Sequence, residues 1–278
     1  MIAKELRNVW WMLALGVLIF LPVLISGPTP YAQLVEIAKT ENIFLDMQVP
    51  SMFEEDTGVP KDPVLFAAEE MALFFGAVGK TFLIPLAAVL GIGLVSAESG
   101  RSTIFFLLSR PVGRDRVLLA KWAVGAVALL GIVVFFGTAF FASAAVKGYP
   151  LDHLGVRGIG LSILLLWLGS LSVFGLALTI SVLLRNVVWS AVAILAFIVL
   201  TWAFSSFLYG FWVNYFLDDG ESLRLSAETV QKAIIPYYWS SKDLYLGDSF
   251  ALVNFAVCLL AAALTLLAAL WAFRRRAF

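Results

Sequence analysis

The side chains of this sequence that could do covalent or metal chemistry are few and scattered. One histidine, His153, stands between Asp152 and Leu154. A zinc site needs three or four ligands, so a lone loop histidine is expected to face solvent. One cysteine, Cys258, lies inside an apolar run, which leaves no intramolecular disulfide and no cysteine metal site. An intramembrane serine protease needs a serine and a histidine facing each other inside a bundle, and the apolar runs hold no histidine. The pair Glu69-Glu70 would suit an intramembrane prenyl-protein protease, but the arginine and histidines that such enzymes need at later helix positions are missing. The pair is expected to open a helix, where its charge favours the dipole. Gly79-Lys80-Thr81 has the form of the end of a phosphate-binding loop. That motif needs a glycine five residues before the Gly-Lys pair, and Phe74 stands there. Lys80 is expected to snorkel, or to find a carboxylate, with Glu69 or Glu70 as the nearest within helical reach. No ATP-hydrolysing site belongs to this chain on that reading.

The elements that carry these residues are apolar helices. Of 278 residues, 62% are hydrophobic and 14% charged, with a mean hydropathy of +0.95. A soluble domain has roughly a quarter of its residues charged. A hydrocarbon core of about 30 Å needs about 20 apolar residues in a helix. Six segments meet that length, at about 9–26, 71–95, 122–146, 158–184, 187–213 and 251–273. The sequence therefore predicts an all-α, polytopic membrane protein with a single transmembrane domain over residues 1–278. The second span holds Lys80, and one starting near Thr81 would still be just long enough. Gly27-Pro28-Thr29-Pro30 is a poor cleavage site, so the first run reads as a retained signal anchor.

Charge placement orients the six spans. Lys4 and Arg7, the cluster from Arg101 to Lys121, Arg185, and Arg274-Arg275-Arg276 all fall on one side. The positive-inside rule makes that side cytoplasmic, with both termini on it. The other side carries Glu54-Glu55-Asp56, Glu69-Glu70 and Asp218-Asp219-Gly220-Glu221. Two outer segments result, 27–70 and 214–250. The first is acidic and proline-rich, with one stretch of helical period from Ala32 to Ala38. The second contains Pro236-Tyr237-Tyr238-Trp239, aromatics that prefer the headgroup level, and is expected to lie along the outer interface. Small residues such as Gly125, Gly169, Ser172 and Ala177 recur within the spans at spacings that allow close helix contact.

The inner loop 97–121 is the informative one. Between Glu98 and Lys121 it holds an apolar run bracketed by charge, from Ile104 to Leu108. Ile104, Leu107 and Leu108 share one helical face. Pro111 ends that helix, Gly113 completes a turn, and Arg114-Asp115-Arg116 begins the third span. Two readings stay open on the residues alone. The helix either rests on the inner leaflet or enters a groove on a cytosolic partner.

The order of Glu98, Gly100-Arg101-Ser102-Thr103, the apolar run, Leu107-Leu108-Ser109-Arg110-Pro111-Val112-Gly113-Arg114 and then Lys121 resembles the permease subunits of type-2 ABC exporters. The opening Lys4-Glu5-Leu6-Arg7 before Trp10-Trp11 is similar to the start of those proteins, where a short amphipathic helix lies along the membrane. The resemblance implies a coupling helix in this loop, docked on a cytosolic nucleotide-binding ATPase subunit. Glu98 and Gly100 would start it, Arg101, Ile104, Leu107 and Leu108 would carry its contacts, and Arg110 to Arg114 would turn behind it. It further implies a homodimeric pair of permeases with two ATPases in the cell membrane, ATP and Mg bound by the partner, and no cofactor or nucleic acid bound by this chain. The long acidic first outer segment departs from that pattern. An amphipathic lipid, peptide or drug is the expected cargo. An ATP-independent channel or secondary transporter would need paired intramembrane ions or matching broken-helix halves, and the sequence shows neither. A permease fold acting as a mechanical transmitter to an outer-face partner is the remaining alternative.

Overall fold

A computed structural model of the chain describes residues 10–11, 14–21, 28, 30–33, 36, 63–99, 113–149, 151, 155–184, 186–215, 239 and 252–275. The described residues contain no strand. Five long helices follow in order: α1 (Pro63–Ser99), α2 (Arg114–Val146), α3 (Gly155–Leu184), α4 (Val187–Tyr215) and α5 (Leu252–Arg275). Four contain a stretch long and apolar enough to cross a membrane: Phe74–Val95, Asp115–Val146, Val156–Leu184 and Leu252–Arg275. Helix α4 is apolar over Val187–Thr201. The first expected span, about 9–26, is described only in part. It is helical at 10–11 and 14–21.

The starts and stops follow local chemistry. Pro63 occupies the first position of α1, where its missing N–H costs nothing. At roughly 55 Å, this helix of 37 residues is longer than the hydrocarbon is thick. Pro85 lies inside it, which a membrane bundle tolerates better than a soluble helix does. Asn186 fills the tight turn between α3 and α4, and its Oδ1 accepts from the Val188 N–H at 2.8 Å, as an N-cap should. Helix α2 ends on Gly148, at φ 84°. There the Tyr149 N–H donates to the Ala144 carbonyl and the Gly148 N–H to that of Ala145, both at 3.1 Å. This is the Schellman arrangement, with Tyr149 and Ala144 buried as its apolar pair. A Cβ at Gly148 would meet no atom, so Gly148→Ala should cost only the left-handed backbone penalty, about 1 kcal/mol. Thermal unfolding in detergent should fall by about 2–4 °C. An unchanged midpoint would show that the turn is not held in that conformation.

Helix α3 is the hub, packing most extensively on α1 and α5 and also on α2 and α4. A Cβ on Gly91 would lie 2.6 Å from the Ala177 Cβ and 2.8 Å from the Phe174 carbonyl oxygen, so the α1 and α3 backbones nearly touch. Gly125 of α2 leaves room for the Phe174 ring. Of the small residues expected to mediate packing, Gly125 and Ala177 meet partners on other helices, and Gly169 meets Trp239. Polar ties cross the same contacts. The Trp167 indole donates to the Ala126 carbonyl at 3.0 Å, and the Thr179 hydroxyl to that of Thr265 at 3.1 Å. Phe20 in the N-terminal helical stretch is fully buried against Phe82 and Phe136, with ring centroids 5.6 and 4.5 Å away. The outside is apolar instead of charged: Trp189, Leu195 and Leu200 of α4 and Leu260, Leu264 and Leu267 of α5 are exposed. Such a surface suits lipid rather than water.

Pro28 and Tyr31 are anchored at the far end of α2. The Lys147 ammonium donates to the Pro28 carbonyl at 2.6 Å, and the Tyr31 N–H donates to the Lys147 carbonyl at 3.2 Å. Residues 31–33 and 36 are helical, within the stretch whose period indicated a helix.

Candidate functional site

The loop singled out by the sequence is framed by two described elements. Helix α1 ends at Ser99, and Gly113 precedes α2 at Arg114. Gly100, Arg101, Ile104, Leu107, Leu108 and Arg110 lie outside the described residues. Glu98 and Arg114 fall within the helical backbone at its two ends, with side chains outside the description. The frame is therefore placed, and the loop's own contacts are not.

The frame is tied to the bundle in two ways. Lys121, about two turns into α2, is only 2% exposed. Its ammonium donates to the Leu94 carbonyl at 2.9 Å, near the end of α1. A buried ammonium needs such acceptors, since desolvating it alone would be costly. The bond clamps together the two helices that enter and leave the loop. The second tie is at the first turn of α2, where Asp115 takes two charge-assisted bonds from Arg274 of α5. Arg274 Nε is 3.0 Å from Asp115 Oδ1, and Arg274 Nη2 is 2.7 Å from Oδ2. Arg274 is largely exposed and Asp115 partly so, so the pair contributes little stability by itself. Its value is geometric, because a bidentate fork fixes orientation. The adjacent Arg275 lies 4.3 Å from the Trp271 ring centroid, a cation–π contact. Val95, Val117 and Leu118 are buried beneath these ties. The cations at the start of α2 and the end of α5 thus gather at one end of the bundle.

Several of the remaining candidates are packing residues. Phe74, standing where a phosphate loop needs glycine, stacks on Phe140 with centroids 6.0 Å apart. Gly79 faces Leu166, and Lys80 belongs to an uninterrupted helix. Glu70 is ten residues up that helix from Lys80, roughly 15 Å along the axis, which is too far for the ion pair that the sequence suggested. Cys258 is buried in α5. His153 lies outside the described residues. Among the described residues no group of three or more His, Cys, Asp and Glu could hold a metal ion.

The profile of a family described as ABC-2 family transporter protein matches residues 2–277. That is nearly the whole chain. The chain belongs to the ABC-2 transporter family. A comparison with curated proteins found no match. As an ABC-2 membrane protein, the chain has its loop frame at the basic end of the bundle, where the resemblance in its sequence implied a coupling element. Two features of this ABC-2 protein had no local sequence signal. The Lys121 bond to Leu94 links a side chain to a carbonyl, which no residue type announces. The other is Trp239, one of the aromatics expected at the headgroup level, whose neighbours in sequence lie outside the described residues. It is 1% exposed and packs its ring over Gly169 of α3, because a glycine notch in an apolar wall offers a large ring more buried area than the headgroup level does.

Proposed function

We propose that this ABC-2 protein is the permease subunit of an ATP-driven exporter for an amphipathic lipid, peptide or drug. The observation that carries the reading is the family match over residues 2–277 on a chain of membrane-length apolar helices. Six spans with both ends cytoplasmic place the loop 97–121 inside the cell membrane's cytosolic face. Two permeases and two ATPase subunits make the working unit, and ATP and Mg bind in the ATPases. Closure of the ATPase pair pushes on Ile104, Leu107 and Leu108, with Glu98, Gly100, Arg101, Arg110 and Arg114 shaping the helix and its turn. The Lys121–Leu94 clamp and the Asp115–Arg274 fork then support transmission, because a loop whose two roots are bonded together moves α1, α2 and α5 as a unit. That motion biases the bundle between inward-open and outward-open states.

Impermeant thiol labelling tests the arrangement. In a Cys258→Ala background, cysteines at Ser51 and Ser222 should react on intact cells. Cysteines at Ser102 and Ala277 should react only after the membrane is opened. Labelling of Ser102→Cys from outside would overturn the six-span orientation and the coupling role of the loop together.

A further inference from the structure

Three polar groups meet at one level in the half of the bundle away from the loop. Gly79 stands against Leu166 and Gly91 against Ala177, so α1 and α3 run parallel. Gly175 stands against Thr265, and Arg274 at the end of α5 meets the start of α2, which is bonded to the end of α1, so α5 runs parallel to them as well. Carrying this register along the helices puts Lys80, Gly169 and Cys258 within about one turn, ~5 Å, of a common level. Lys80 and Cys258 are close enough to interact electrostatically. Trp239 covers Gly169, and it shares a buried cluster with Phe75 of α1, Leu165 of α3 and Cys258 of α5. Both α1 and α5 pack on α3, yet they scarcely touch each other. The indole therefore lies against α3 at the level where Lys80 of α1 and Cys258 of α5 approach each other.

The polar balance at this level is one-sided. Trp239 Nε1 is buried without a hydrogen-bond partner, and no hydrogen bond or ion pair reaches the Lys80 ammonium among the described residues. The level lies six residues below Phe74 and six below Leu252, about 9 Å down from the start of each apolar stretch. An ammonium at such depth marks a pairing or transport site, and a buried indole N–H left unpaired costs free energy. Both groups are donors, and an anionic oxygen is the acceptor that would satisfy either. Beside them α5 exposes Val253, Leu259 and Leu260, a surface fit for an acyl chain.

We propose that Lys80 and the Trp239 indole form a headgroup site for an anionic amphiphile, a phosphate or carboxylate carried on a hydrocarbon tail. The proposal deepens the export reading by giving its cargo a charge, and it rests on that reading only for the direction of movement. Lys80 supplies the ion pair, Trp239 supplies a directed N–H, and the tail lies along α5. Neither the loop 97–121 nor the ATPase takes part in binding.

The test is equilibrium binding of radiolabelled dodecyl phosphate to the purified full chain in phosphatidylcholine nanodiscs, without any ATPase. Saturable binding is expected, weakened about tenfold or more by Lys80→Met, since a charge-assisted bond is lost, and retained by Lys80→Arg. Trp239→Phe keeps the ring and removes the N–H, and should weaken binding a few-fold. Unlabelled dodecylphosphocholine should compete poorly because its added cation offsets the phosphate. Inorganic phosphate should not compete, because it has no tail. Competition by inorganic phosphate would identify a free-anion site and overturn the amphiphile assignment. The inference also fails if no saturable binding occurs, or if Lys80→Met binds as the wild type does while Lys80→Arg confirms a folded chain. Those failures leave coupling through the loop untouched, and loss of that coupling leaves the binding assay unchanged.

Discussion

Gly91→Val should unfold this protein at a temperature about 10 °C lower than the wild type, while Gly131→Val should leave it nearly unchanged. Both changes put the same β-branched side chain into a long apolar helix. At Gly91 the first added carbon would lie 2.6 Å from the Ala177 Cβ and within 3.0 Å of two backbone atoms, the Phe174 oxygen and the Leu178 nitrogen. Backbone cannot rotate aside as a side chain can, so α1 must separate from α3 along its length. Overpacking of a tight core costs about 1–3 kcal/mol, and more where backbone must move. A loss of about 3 kcal/mol corresponds to roughly 10 °C for a chain of this size. At Gly131 of α2 an added Cβ meets nothing within 4 Å, so the cost there is the small propensity difference alone. Thermal unfolding in one detergent, followed by circular dichroism, compares the two. Equal midpoints would show that the α1–α3 contact does not hold the bundle.

The second large effect is expected at Leu107. In the coupling reading, Ile104, Leu107 and Leu108 form the apolar centre of a small interface with an ATPase subunit, and Arg101 and Arg110 form its rim. Truncating a buried anchor at such a centre typically costs about 2 kcal/mol or more. A carboxylate placed there adds a desolvation penalty. Leu107→Asp should therefore release the ATPase during purification, or abolish transport-coupled hydrolysis, with the permease still inserted and folded. Arg110→Ala should weaken the association mildly and make it more sensitive to salt. Glu98→Gln separates two further roles. A residue that only caps the helix should tolerate the change, since an amide oxygen still accepts a hydrogen bond. A residue that pairs with a moving cation should lose coupling while the partner stays bound.

What was legible in the sequence was whatever is written in local runs. The long helices follow from apolar stretches of membrane length, and their observed limits fall near the expected ones. The expected start of the second span near residue 71 lies inside a helix that begins at Pro63, because hydropathy reads where lipid begins and not where the helix does. That Phe74 breaks the nucleotide-loop pattern at Gly79-Lys80 could be read directly, since that motif is local too, and in the structure its ring stacks on Phe140. Contacts between distant residues were not legible. Asp115 and Arg274 are 159 positions apart, and each reads alone as a flank charge. Trp239 carried an interfacial signal in its own segment, and only the notch at Gly169, seventy positions earlier, explains its burial. Lys121 read as one more inner cation, yet its acceptor is a backbone carbonyl of the preceding helix. Gly125 and Gly169 were recognised as packing residues, but spacing within one helix cannot say which ring on another element fills the space they leave.

The most direct measurement of the central claim places a photo-reactive phenylalanine analogue at Leu107 in the full chain and irradiates intact cells. If the loop 97–121 couples this permease to an ATPase, the adduct should contain a nucleotide-binding ATPase subunit, and its yield should fall in the presence of Arg110→Ala. An adduct with lipid alone, in cells that make the cognate ATPase, would show a helix resting on the inner leaflet and would contradict coupling through this loop.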